Sequence, residues 1–172
     1  ICGLWLFEQS RKKFKDAPSS VGELVALCEE SEYEGLIFPD DPSFANPPSM
    51  TAAIREYCHR TGQPAPESPA DYCRCIFRSL ALRYRQVVEI LQNICNFPIK
   101  KLHVIGGGTY NEFLMQLTAN AIGIPVVTGP VEGTAIGNIM LQAKAAGLVG
   151  DIYEMRSIIA NSIDLKTYLP QG

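Results

Sequence analysis

Two short β-rich runs constrain this chain most: Leu102-His103-Val104-Ile105 ending in Gly106-Gly107-Gly108, and Ile124-Pro125-Val126-Val127-Thr128 ending in Gly129-Pro130. Each is followed by a helical pattern of roughly twelve to fifteen residues. Strand, turn and helix in that order, twice over, require a parallel strand pair joined by a right-handed crossover. Ligands in such layouts sit at the carboxyl ends of the strands, so the expected functional edge lies near Gly106 and Gly129.

The rest of the chain reads as helix, making a helix-rich α/β protein. Leu4 to Phe14 and Val21 to Glu30 carry apolar residues at helical spacing, and Ser20 with Glu23 forms a capping box for the second. A short apolar stretch, Leu36 to Phe38, leads into residues 39–48, where four prolines and two aspartates rule out regular structure. Ser49 caps a helix running to about Thr61 and stopped by Gly62. Ser68 and Pro69 open a long helix whose core stripe runs through Ile76, Phe77, Leu80, Tyr84, Val87, Val88 and Leu91. A last helix spans Asp151 to Asn161, and residues 163–172 form an extended tail. The chain opens on Ile1 and enters a helical pattern without a capping residue, which reads as a cut edge.

Composition narrows the partners. An apolar fraction of 47%, 19% charged residues and a net charge of −3 describe a folded chain with no basic face for nucleic acid. No apolar run approaches the roughly 20 residues that cross a bilayer, so no membrane association is expected. Six cysteines, at 2, 28, 58, 73, 75 and 95, read as reduced core residues. Cys73 and Cys75 lack a second Cys or His pair at ligand spacing, so no metal site is expected. Cys58 and Cys75, on neighbouring helices, are a candidate pair under oxidation. His59 and His103 stand near no nucleophile and read as structural.

The chemistry concentrates in Gly106-Gly107-Gly108-Thr109-Tyr110-Asn111, between a strand and a helix with apolar Leu114, Leu117 and Ala121. Glycines there permit positive φ and let a ligand approach the backbone while helix-start amides stay free to donate. The alternative is a tight turn with no ligand. A dinucleotide fingerprint would place a glycine where Asn111 stands, and no glycine is followed by Lys and Ser or Thr as in a Walker loop. The second turn, Gly129 to Gly137, packs closely, with Glu132 as a first-turn carboxylate.

Gly106 to Asn111, Gln116 and the stretch from Ile124 to Gly137 together resemble the adenine-side signature of the FGGY carbohydrate kinases. Gly3-Leu4-Trp5-Leu6, Asp41-Pro42 to Met50, Arg74-Cys75-Ile76 and Ser79 to Arg85 are similar to the rhamnulokinase subfamily, and the similarity covers nearly the whole chain. The resemblance implies an actin-like, ribonuclease H-like fold of two α/β domains. Residues 1–172 would be part of the C-terminal, nucleotide-binding domain, with an incomplete sheet and without the N-terminal sugar-binding domain. It further implies a cytoplasmic enzyme of rhamnose catabolism that transfers the γ-phosphoryl of Mg2+-bound ATP to the 1-hydroxyl of L-rhamnulose. Gly106, Gly107 and Gly108 match the adenosine-binding glycine turn, Asn111 its adenine-facing polar residue, and Glu8 the position of a Gln that faces the nucleotide. The catalytic aspartate, the phosphate motifs and most sugar contacts fall upstream of Ile1, so this chain is expected to be inactive alone. The alternatives are a non-catalytic nucleotide- or sugar-binding module and a helical interaction domain with purely structural glycines.

Overall fold

A 26-residue helix, α4 (Pro69–Ile94), is the element against which most others pack. Its start is fixed by a reciprocal cap: Ser68 Oγ accepts the Asp71 N–H at 3.1 Å and the Asp71 carboxylate accepts the Ser68 N–H at 3.0 Å. The Ser31 hydroxyl also donates to Asp71, at 2.7 Å. Partial burial works to raise the Asp71 pKa, but these hydrogen bonds outweigh it and hold the carboxyl below its usual range. Tyr72, Ile76, Phe77 and Leu80 recur at helical spacing and are buried against α1 (Trp5–Arg11), α2 (Val21–Glu30) and α5 (Glu112–Ile122). The computed structural model describes residues 1, 3–14, 18 and 20–171. Cys2 of the cysteine set and Gly172 of the expected tail lie outside the described residues.

The expected stripe of α4 is only half right. Burial stops at Ala81; Tyr84, Val87 and Val88 are half-buried, and Leu91 joins Ile90 and Ile94 at the surface. Amphipathic spacing marks a face able to be buried, not the length over which a partner covers it. α1 is also shorter than its pattern, ending at Arg11 with a turn carrying the chain on to Phe14. Ser20 occupies the N-cap of α2, but its side chain makes no cap hydrogen bond. Val21 to Glu23 are exposed there, so water can serve the free amides. The other end of α2 is held by Arg74, whose guanidinium donates to the carbonyls of Cys28 and Glu29, each at 3.3 Å.

Side chains take the place of a strand partner at Leu36 to Phe38. The Gln63 side-chain amide accepts the Leu36 N–H at 2.8 Å and donates to the Leu36 carbonyl at 2.9 Å. The Ile37 N–H donates to the buried Ser79 hydroxyl at 2.9 Å. Within the proline-rich loop a short 3-10 turn does form, Pro42–Phe44, because Pro42 presets its first position and the Asp41 carboxylate accepts the Ser43 N–H at 3.0 Å. α3 (Met50–Arg60) starts with Ser49 Oγ accepting the Ala52 N–H and ends before Gly62, at φ +69°.

The strand pair is β1 (Leu102–Val104) and β2 (Val126–Thr128), parallel, with Leu102 opposite Val126 and Val104 opposite Thr128. The extended tail adds β3 (Thr167–Tyr168) antiparallel to β2, giving a three-stranded mixed sheet in the order β1-β2-β3. α5 covers β2 and β3. Its buried face is Leu114, Met115, Thr118 and Ala119, one position round from the expected Leu117 and Ala121, which are half-buried. α6 (Gly133–Ala145) and α7 (Ile152–Ser162) enclose a small separate cluster of Met140, Val149 and Met155. No helix of the described residues is long and apolar enough to cross a membrane.

Two predictions follow from this packing. A methyl at Gly35 would lie 2.1 Å from the Tyr33 hydroxyl, which is held in place by donating to the Pro64 carbonyl at 2.7 Å. Gly35→Ala should therefore lower stability by about 1–3 kcal/mol, read as a drop in the urea midpoint. Cys28, Cys58, Cys73 and Cys75 are free and buried, whereas Cys95 is half-exposed. Burial pushes the thiols of Cys28 and Cys75 up to about 12 and also raises that of Cys73. At pH 8 a thiol reagent should label Cys95 in the native protein and the four buried cysteines only on unfolding. Fast native labelling of those four would count against the buried arrangement.

Candidate functional site

At the end of β1 the chain turns at Gly106, with φ +91° and ψ −179°, a conformation open essentially to glycine alone. A short 3-10 turn, Gly107–Tyr110, follows, closed by the Thr109 N–H at 3.1 Å and the Thr109 hydroxyl at 2.8 Å, both donating to the Gly106 carbonyl. Thr109 is buried, and sequence reasoning did not single it out. Gly107 and Gly108 stand first in the turn, so their amides have no partner inside it. Asn111 then caps α5, its side-chain oxygen accepting the Leu114 N–H at 3.0 Å.

This turn forms one wall of a cleft of about 440 Å³. Gly107, Asn111, Glu112 and Phe113 face it from the turn and the start of α5, while Leu4, Phe7 and Glu8 face it from the first helix. The third wall is α2, through Val21, Gly22, Val25 and Glu29. The α2 residues carried no motif; only long-range packing brings them here. Leu4, Phe7, Val25 and Phe113 give the cleft an apolar floor, and Glu8, Glu29 and Glu112 stand around it. Two of these carboxylates are paired: Glu8 with Arg11 at 3.0 Å, and Glu112 with Lys166.

Of the five expected site residues, the structure brings Glu8, Gly107 and Asn111 into one cleft. Gly106 shapes the turn from outside it, and a methyl on Gly108 would lie 3.3 Å from Leu4 Cδ1, so Gly108 serves close packing against α1. The second glycine turn is likewise a packing device. A methyl on Gly129 would lie 2.7 Å from Ile105 Cγ2, and the Gly129 N–H donates to the Val104 carbonyl at 2.6 Å. Glu132 takes the N-cap position of α6 without a side-chain cap bond. His59 and His103 are exposed and outside the cleft. Among the described residues no three His, Cys, Asp or Glu side chains converge to hold a metal ion.

Comparison with known proteins identifies the fold and the family. A rhamnulokinase of Bacteroides thetaiotaomicron is 55% identical over 172 residues, and one of Pectobacterium carotovorum 44% identical over 174, covering 99% and 100% of this chain. The chain spans only 35% and 34% of those proteins. Among solved structures, xylulose kinase from Rhodospirillum rubrum superposes with a TM-score of 0.63 at 21% identity, over 97% of this chain and 32% of its own. Plasmodium falciparum glycerol kinase with ADP superposes with a TM-score of 0.66 at 16% identity, over 99% of this chain and 33% of its own. The fold is thus the helix-rich α/β, ribonuclease H-like fold of the sugar kinases. Residues 1–146 match the C-terminal domain of the FGGY family of carbohydrate kinases, and the chain belongs to that family.

Proposed function

We propose that this chain is the nucleotide-binding part of an ATP-dependent sugar kinase that phosphorylates the 1-hydroxyl of L-rhamnulose, acting in the cytoplasm. The observation that carries the reading is the convergence of Glu8, Gly107 and Asn111 on one cleft beside a glycine turn. Its apolar floor suits a flat ring, and Asn111, whose oxygen is committed to the helix cap, keeps its amide NH2 to donate to a ring nitrogen. Three carboxylates around the cleft disfavour a polyphosphate inside it. They suit the neutral adenosine end, whose exocyclic amine and ribose hydroxyls donate hydrogen bonds. The amide of Gly107, without a partner inside the turn, supports the same reading, since a bulkier residue there would hold a ligand off the backbone. The ADP bound to the structurally similar glycerol kinase and the names of the closely similar relatives support the assignment.

In this reading the chain's own residues bind and orient. Phe7, Val25 and Phe113 exclude water from the base, and Asn111 fixes its angle about the turn. Mg2+ would arrive on the ATP phosphates, supplying charge neutralisation during transfer; we assign it no ligand from these residues. The general base and the sugar contacts belong to the larger part of the polypeptide that the relatives possess beyond this matched third.

Full-length protein should phosphorylate L-rhamnulose with ATP, and these 172 residues alone should not. Turnover by the chain alone would place a base within it; ATP binding without turnover by the full-length protein would favour a sensing module. Within the full-length enzyme, Asn111→Asp keeps the helix cap but replaces the amide donor with charge. KM for ATP should rise about tenfold, a loss of roughly 1.4 kcal/mol, with KM for the sugar unchanged. An unaltered KM for ATP would remove Asn111 from the site.

A further inference from the structure

The matched family domain stops at residue 146, yet the chain beyond it returns to α5, the helix whose first residues line the cleft. The backbone of Lys166 is fixed to the end of β2: its carbonyl accepts the Thr128 N–H at 2.9 Å and its N–H donates to the Thr128 hydroxyl at 3.0 Å. From there the tail runs along α5, whose residues 112, 116 and 120 stack on one face at helical spacing. Each holds the tail: the Lys166 ammonium pairs with Glu112, Gln116 Nε2 donates to the Leu169 carbonyl at 2.8 Å, and Asn120 Oδ1 accepts the Gln171 N–H at 2.9 Å. Gln116 Nε2 also donates to Asn120 Oδ1, at 2.8 Å, linking the last two rungs. Between the first two, Tyr168 in β3 has a hydroxyl shielded from water beside the Glu112 carboxylate. Burial, and then the nearby Glu112 carboxylate, raises its pKa.

We propose that this strap is a positioning element for the nucleotide site: by tying α5 along its whole length to the sheet it fixes the start of the helix, Asn111 and Glu112, against the opposite wall formed by α2. The inference rests on the nucleotide reading of the cleft. Lys166, Gln116 and Asn120 touch no ligand in it; they act through the helix they hold. A single exposed ion pair such as Lys166 with Glu112 contributes little alone. Three rungs on one face, with a strand hydrogen-bonded to the sheet, set the direction of α5, and small misplacements of a binding group are costly.

The test uses full-length protein and measures dissociation constants for ATP and, separately, for L-rhamnulose, together with the melting temperature. Asn120→Leu should weaken ATP about three- to tenfold, the loss expected of an ordinary hydrogen bond, and Lys166→Ala, which removes only an exposed ion pair, about twofold. Sugar affinity should stay within about twofold, given that distant sites do not couple. Asn120→Asp, which keeps the acceptor for the Gln171 N–H, should restore ATP affinity. Unchanged ATP affinity in Lys166→Ala and Asn120→Leu, while Asn111→Asp weakens it, would overturn the strap and leave the nucleotide site standing. Equal loss for both ligands with a lower melting temperature, and no rescue by Asn120→Asp, would reduce the strap to general stability. If Asn111→Asp also leaves ATP affinity intact, the cleft is not the nucleotide site and the strap's role falls with it.

Discussion

The Phe77 ring on α4 meets Phe7 of α1 at 5.1 Å and Phe113 of α5 at 6.4 Å, and the site depends on that chain of contacts. Phe7 and Phe113 are also on the cleft surface, so one buried ring sets the spacing of two of its walls. Aromatic pairs at these separations combine large buried area with a preferred tilt. α4 can serve as the common support because its first half buries a continuous face from Tyr72 to Ala81 and starts from a reciprocal cap, whereas its last two turns expose Ile90, Leu91 and Ile94.

On that support the charge pattern gives the cleft its direction. The floor is apolar and the carboxylates Glu8, Glu29 and Glu112 surround it, two of them tethered by Arg11 and Lys166. In the proposed reading such a cleft would favour the neutral end of a nucleotide over its phosphates before any specific contact forms. The glycine turn adds free backbone donors at one wall, and its conformation at Gly106 is one that a side chain would strain.

Local signals were legible wherever the physics is local. The helix start at Ser68 and Pro69, the stop at Gly62, the two strand-turn-helix units and the turn at Gly106 all depend on residues within a few positions of one another. The capping box expected at Ser20 and Glu23 did not form, since an exposed helix start can use water instead. The α2 wall of the cleft was invisible because Val21, Gly22 and Val25 lie more than 80 residues from Gly107 and carry no chemistry of their own. Glu8, singled out by resemblance, does line the cleft, but its pairing with Arg11 shows only in the folded helix. The strap was hidden for a similar reason: Gln116 and Asn120 gain their meaning from a tail some fifty residues away.

Hydrogen exchange on the full-length protein, with and without Mg2+-bound ATP, tests the nucleotide assignment most directly. Slowed exchange at the amides of residues 107–111 and in the first turns of α2 is the predicted result, because a bound adenosine would occupy the space between them. Saturating ATP that protects other segments and leaves both walls unchanged would contradict it.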